Sequence, residues 1–141
     1  MKILAMEPFD RGSHRHFRQI LTRHSKHCWH WIANDATPWK WSMRVGGLLP
    51  LGNFPIPDVL FCTSLLDVAA ARVQVEGKIG KRLPTVLYMH ENQVEYPANP
   101  SRDRDERDVH FALTNLISIF SADLVLWNSR WNLESFLNGI L

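Results

Sequence analysis

Short, almost wholly apolar runs recur along this chain, separated by longer segments in which apolar residues return every three or four positions. The runs are Ile3 to Met6, Cys28 to Ala33, Val59 to Thr63, Thr85 to Met89 and Asp123 to Trp127. Continuous rather than alternating apolarity marks strands buried on both faces. The intervening segments predict helices over His14 to His24, Pro38 to about Val45, Leu65 to Val75, Val109 to Phe120 and Arg130 to about Leu137. Leu65, Leu66, Ala69 and Val73 repeat at helical spacing in the third, and Leu113, Leu116, Ile117 and Phe120 share a face in the fourth. Gly12-Ser13, Ser64 and Ser129 stand where helix caps belong, while Gly46-Gly47, Gly77 with Gly80, and Asn138-Gly139 stand where helices should end. Pro50, Pro55 and Pro57 mark a loop, and the polar stretch from His90 to Arg107 predicts a longer one.

Strand and helix in strict alternation predict an α/β, Rossmann-like domain, a parallel sheet with helices on both faces joined by right-handed crossovers. At 141 residues the chain suits one domain, which at that size buries roughly two-thirds of its unfolded surface without a staple. Its 45% hydrophobic and 21% charged residues exclude a disordered or membrane-embedded chain, and a net charge of +2 selects no partner. Cys28 and Cys62 are expected to be unpaired thiols. The opening apolar run reaches Glu7-Pro8 too soon for a secretory signal, so a cytoplasmic setting is expected.

Parallel sheets bind ligands beyond the carboxyl ends of their strands, which directs attention to the residues after each run. After the first lies Asp10-Arg11-Gly12-Ser13-His14. There a glycine and a helix N-terminus could approach a phosphate or a sugar hydroxyl, or simply make a capped turn. The three-glycine dinucleotide fingerprint is absent, so a nicotinamide or flavin cofactor is a poor reading. After the fourth run His90, Glu91, Asn92 and Gln93 crowd together: His90 could donate to a ligand oxygen or act as acid or base, and Glu91 could accept from hydroxyls. After the fifth come Asn128 and Ser129, the serine better placed as a cap than as a nucleophile.

The first helix carries Arg11, Arg15, Arg18, Arg23 and Lys26 with no acid between Arg11 and Asn34. It reads either as a solvated face or as a site for a polyanion such as RNA. Trp29 and Trp31 should share one face of a strand, whereas Trp39 and Trp41 diverge by about 200° on a helix. With Lys40 and Arg44 alongside, one of those indoles could stack on a nucleobase or a sugar. Cys28 and His30 lack a second ligand pair and the other histidines are scattered, so no metal site is expected. The alternating charges of Arg102 to Asp108 suit a solvated loop.

Five stretches, in order, resemble the N-terminal domain of the glycosyltransferase-like domain-containing proteins. These are Gly12-Ser13-His14, Trp39-Lys40-Trp41, Thr63-Ser64-Leu65-Leu66-Asp67, His90 to Pro97 and Asn128 to Phe136. The resemblance runs from Met1 to about Leu137, and its last two stretches are long enough to be specific. It implies the N-terminal, acceptor-side half of a two-domain GT-B enzyme, with a C-terminal donor-binding half beyond this chain. The implied reaction is retaining, metal-free transfer of mannose from the donor substrate GDP-mannose to queuosine in tRNA, with no membrane involved. By position, His90 matches a histidine that contacts the transferred sugar; Glu91 and Asn92 would line the cleft, and Gly12 and His14 would approach donor phosphates or acceptor. In one departure, Lys40 stands where a histidine is found between the two tryptophans. A lipid or saccharide acceptor, or a non-catalytic RNA-binding module, are the alternative readings.

Overall fold

The computed structural model describes residues 1–94 and 109–140; the expected loop of alternating charge and the stretch from Glu95 to Pro97 lie outside them. Five strands, β1 (Lys2–Glu7), β2 (Cys28–Ala33), β3 (Val59–Thr63), β4 (Thr85–Met89) and β5 (Leu124–Trp127), form one sheet in the order β2-β1-β3-β4-β5. Every pairing is parallel, with Ala5 beside Trp31 on one side and beside Phe61 on the other. The helices are α1 (Gly12–His24), α2 (Trp39–Val45), α3 (Val68–Ile79), α4 (Val109–Ser121) and α5 (Arg130–Ile140), with a 3-10 turn over Gly46–Leu48.

Alternate residues of β1 divide the core. Ile3 and Ala5 pack with Phe61, Trp29, Trp31 and, from α1, Phe17 and Leu21. Leu4 and Met6 face the opposite way into a larger cluster with Val68, Ala71 and Val75 of α3, Ile119 of α4 and Trp127. Helices therefore cover both faces, and the fold is the expected Rossmann-like one. The chain leaves β1 toward β2 in one direction and extends from β3 to β5 in the other, which puts a topological switch point between the carboxyl ends of β1 and β3.

Several helix ends differ from expectation. Ser13 caps nothing: α1 begins at Gly12, whose φ of 50° turns the chain, and the N-cap Arg11 makes no side-chain cap bond. Ser64 is not the cap of α3 either, because Asp67 takes that role by accepting from the Ala70 N–H at 3.0 Å. Starting three residues later changes the buried face to Val68, Ala71 and Val75, and leaves Val73 76% exposed. Gly77 lies inside the helix, and Gly80, at φ 71°, closes it. Asn138-Gly139 is likewise inside α5, whereas Ser129 is its cap, with the Asn132 N–H donating to Ser129 Oγ at 3.2 Å.

α4 turns inward not its most apolar face but Phe111, Asn115 and Ser118, leaving Val109, Leu113, Ile117 and Phe120 exposed. The polar pair is buried because it completes the hydrogen bonding of the chain after β3 and after β4. Asn115 donates to the Ser64 carbonyl and accepts from the Gln93 N–H; Ser118 donates to the Leu66 carbonyl and accepts from the Val68 N–H. A buried backbone group without a partner costs about 1–3 kcal/mol, comparable with burying one aliphatic side chain, and Asn115 and Ser118 together satisfy four such groups.

Candidate functional site

The site is built from the ends of β1 and β4 and the first turn of α1. Glu7, the last residue of β1, is fully buried. Its Oε1 accepts from the Phe9 N–H at 3.0 Å, and both carboxylate oxygens lie 3.1 Å from Nδ1 of His14. The other nitrogen of His14, Nε2, reaches Glu91 Oε2 at 3.3 Å, and Ser64 at the end of β3 donates to Glu91 Oε1 at 3.2 Å. His14 is thus a buried ring held between two carboxylates. Burial by itself would lower its pKa, but the hydrogen bonds to Glu7 and then to Glu91, with their charges, raise it to about 9. Near neutral pH it is an imidazolium.

His90 lies over this ring with centroids 4.0 Å apart, boxed edge-on by Phe17 and Tyr88. Its Nε2 is buried without a hydrogen-bond partner, 4.0 Å from Glu7 Oε2. Burial first, and then the charge on His14, push its pKa down to about 3. Although 4.0 Å is within ion-pairing range of Glu7, that carboxylate is already matched by the imidazolium it binds, so His90 is neutral. His90 can exchange hydrogen bonds with a ligand but cannot act as a general acid at neutral pH, which narrows the role open to it.

Glu7, His14 and His90 bring one ligand atom each to within 4.8 Å of one another, the only such set among the described residues. Sequence spacing hid it, because the three come from two strand ends and a helix. Each could contribute to a metal site in principle, but Nδ1 of His14, the nitrogen facing Glu7, carries a proton below about pH 9 that a cation would have to displace.

The other residues singled out from the sequence divide by direction. Asn92 turns away from this cluster: buried, it donates to Asn132 Oδ1 at 2.7 Å and to Ser135 Oγ at 3.0 Å, clasping α5. Gln93 is fixed through its backbone N–H on Asn115, and Asn128 donates to the His90 carbonyl, bracing the loop that carries the histidine. Gly12 and Ser13 stay exposed beside the uncapped start of α1.

Arg18 closes a two-pronged pair on Asp10 at 2.8 Å, and Arg15 reaches Asp35 at 3.0 Å. Their charges are locally matched, which weakens them as a polyanion surface. Trp39 packs on Phe111, while Trp41 is 57% exposed, with the Arg44 guanidinium 5.8 Å from its ring centre. Lys40 lies over Trp39 and Phe111, and Arg44 also bonds His110. Phe9 links the two regions, since it meets His14 edge-on at 5.7 Å and packs into the cluster of Met43, Leu65, Phe111 and Trp39. Glu7, Ser64 and Phe9 were missed from sequence; the one available signal was a carboxylate ending a buried central strand.

A parallel five-stranded sheet with helices on both faces and a buried charge cluster beside its switch point defines a Rossmann-like domain. The chain belongs to the tRNA-queuosine alpha-mannosyltransferase N-terminal family, whose profile matches residues 2–141. It is 32% identical over 147 aligned residues to the tRNA-queuosine alpha-mannosyltransferase of Drosophila melanogaster, covering 98% of this chain and 36% of that protein. The chain therefore spans just over a third of that relative's length. No solved structure matches it.

Proposed function

We propose that this chain is the acceptor-side domain of a retaining GT-B glycosyltransferase that moves mannose from GDP-mannose to queuosine in tRNA. The reading rests on one observation above others: in a chain of this family, His90, His14 and Glu91 meet at the switch point of the sheet. Because the Drosophila relative extends far beyond the matched region, we assign most of the donor contacts to a second, C-terminal domain and expect this domain alone to be inactive. Val109, Leu113, Ile117 and Phe120 of α4, with Leu124 and Leu126 of β5, leave apolar surface exposed that suits packing against further protein.

In this account neutral His90 hydrogen-bonds the transferred sugar, Glu91 accepts from a hydroxyl, and the uncapped first turn of α1 at Gly12 and Ser13 faces the donor phosphates. The exposed Trp41 with Lys40 and Arg44 offers a stacking and phosphate contact for the tRNA. This reading needs no metal cofactor. Among the described residues no helix is long and apolar enough to cross a membrane, and a tRNA acceptor would suit a cytoplasmic enzyme.

The test is transfer of labelled mannose from GDP-mannose to queuosine-containing tRNA by the full-length protein, in the presence of EDTA and beside this domain alone. Label in tRNA with the full-length protein only is the expected result. Label with a lipid or saccharide acceptor instead would reassign the acceptor, and retained tRNA binding without transfer to any acceptor would favour the RNA-binding module.

A further inference from the structure

We propose that Glu7 is a positioning residue of this site: its buried carboxylate anchors His14 on one side and fixes the tautomer of His90 on the other, so that His90 offers Nδ1 to a sugar hydroxyl. The proposal rests on the glycosyltransferase reading for its consequence, but not for its geometry.

Glu7 ends a central strand, has no exposed surface, and spends its hydrogen bonds on the Phe9 N–H and on Nδ1 of His14. An amide oxygen could accept from both, though without the charge that helps keep His14 protonated. What only a carboxylate offers is acceptor oxygen on both prongs. Oε2, also 3.1 Å from His14, is the atom nearest Nε2 of His90, at 4.0 Å. That nitrogen has no hydrogen-bond partner, and the His90 side chain is only 9% exposed.

A neutral imidazole must place its single proton on one nitrogen. With Glu7 Oε2 the nearest polar atom, at 4.0 Å, Nε2 keeps the proton, and the lone pair is left on Nδ1, to which no described residue hydrogen-bonds, as an acceptor for a ligand. The imidazolium of His14, stacked on the same ring, disfavours a second proton on His90. The other groups facing the pair agree with this arrangement. Glu91, itself held by Ser64, meets His14 from the far side, Phe17 and Tyr88 wall in His90, and the Asp10–Arg18 pair beside β1 is internally matched.

Glu7→Gln separates shape from charge. With its oxygen kept at the Oε1 position toward Phe9 and His14, the amide N–H₂ takes the place of Oε2, gives up that atom's 3.1 Å contact with Nδ1 of His14 and faces Nε2 of His90 as a donor. The His90 proton then moves to Nδ1, and the acceptor for the sugar hydroxyl is lost. Glu7→Asp keeps the anion and should preserve the tautomer.

The test uses the full-length protein labelled with ¹⁵N-histidine. Ring-nitrogen spectra, assigned with a His90→Ala variant, give the tautomer of His90 in wild type, Glu7→Gln and Glu7→Asp, and mannose transfer is measured on the same samples. The expected result is an Nε2–H tautomer in wild type and Glu7→Asp and an Nδ1–H tautomer in Glu7→Gln. With it should come a fall in kcat of about tenfold or more and a donor KM within about threefold for Glu7→Gln, partly restored in Glu7→Asp. An unchanged His90 tautomer in Glu7→Gln, or wild-type kcat in that variant, overturns the proposal. Absence of transfer by the wild type counts against the glycosyltransferase reading instead, while the tautomer comparison still decides the role of Glu7.

Discussion

The clamp on His14 should make this domain lose stability in mild alkali, where most proteins are indifferent. A histidine whose pKa is raised on folding contributes its full stabilisation below the unfolded pKa and loses it as pH climbs through the folded one. For His14 that window runs from 6.5 to about 9. A rise of that size corresponds to about 3 kcal/mol, a large share of the roughly 5–15 kcal/mol that holds a domain together. Urea titrations followed by tryptophan fluorescence at pH 6.5, 7.5, 8.5 and 9.5 would show it. With a urea dependence of about 1–3 kcal/mol per molar, the midpoint should fall by about 1–3 M across the series. His14→Gln should be less stable at pH 6.5 and nearly flat above it. His90 acts with the opposite sign: held neutral in the fold by a pKa near 3, it contributes stability above pH 6.5 that is lost as the pH falls toward 3. A wild-type midpoint that moves by less than about 0.3 M between pH 6.5 and 9.5, or an alkaline slope that survives in His14→Gln, would refute the clamp.

Two further substitutions probe the surroundings. Asn115→Leu keeps the bulk of a fully buried side chain but strands the Ser64 carbonyl and the Gln93 N–H. Chemical denaturation should register a loss of roughly 2–5 kcal/mol with an unchanged urea slope. Trp41→Ala removes a 57% exposed indole, so the melting temperature should hold, while tRNA affinity of the full-length protein in a filter-binding assay drops by the about 1–3 kcal/mol of one base stack.

The alternation of elements was legible because strands buried on both faces must be apolar throughout, and Val59 to Thr63 or Thr85 to Met89 have no other stable use. Helix ends were less so: Ser64 and Asp67 are both capping residues, and only the Asp67–Ala70 bond distinguishes them. The inward face of α4 was not readable at all, since Asn115 and Ser118 are buried by the hydrogen-bond needs of a loop about 50 residues earlier in the chain. Position after a strand drew attention to His14, His90 and Glu91, which the structure brings into contact. The same reasoning could not tell that Asn92 turns to α5 or that Asn128 braces a carbonyl, because a polar residue beside a strand end serves a ligand and a loop equally well. Glu7 was passed over as the residue that ends a strand, and its role emerges only when α1 folds His14 back onto it.

The central claim is that the histidine cluster at the switch point serves glycosyl transfer, and it is tested most directly by comparing full-length wild type with His90→Ala. Labelled mannose entering queuosine-containing tRNA with wild type, and at a rate lower by about tenfold or more with the variant at unchanged tRNA affinity, is the result predicted. Equal transfer by the two proteins would contradict it.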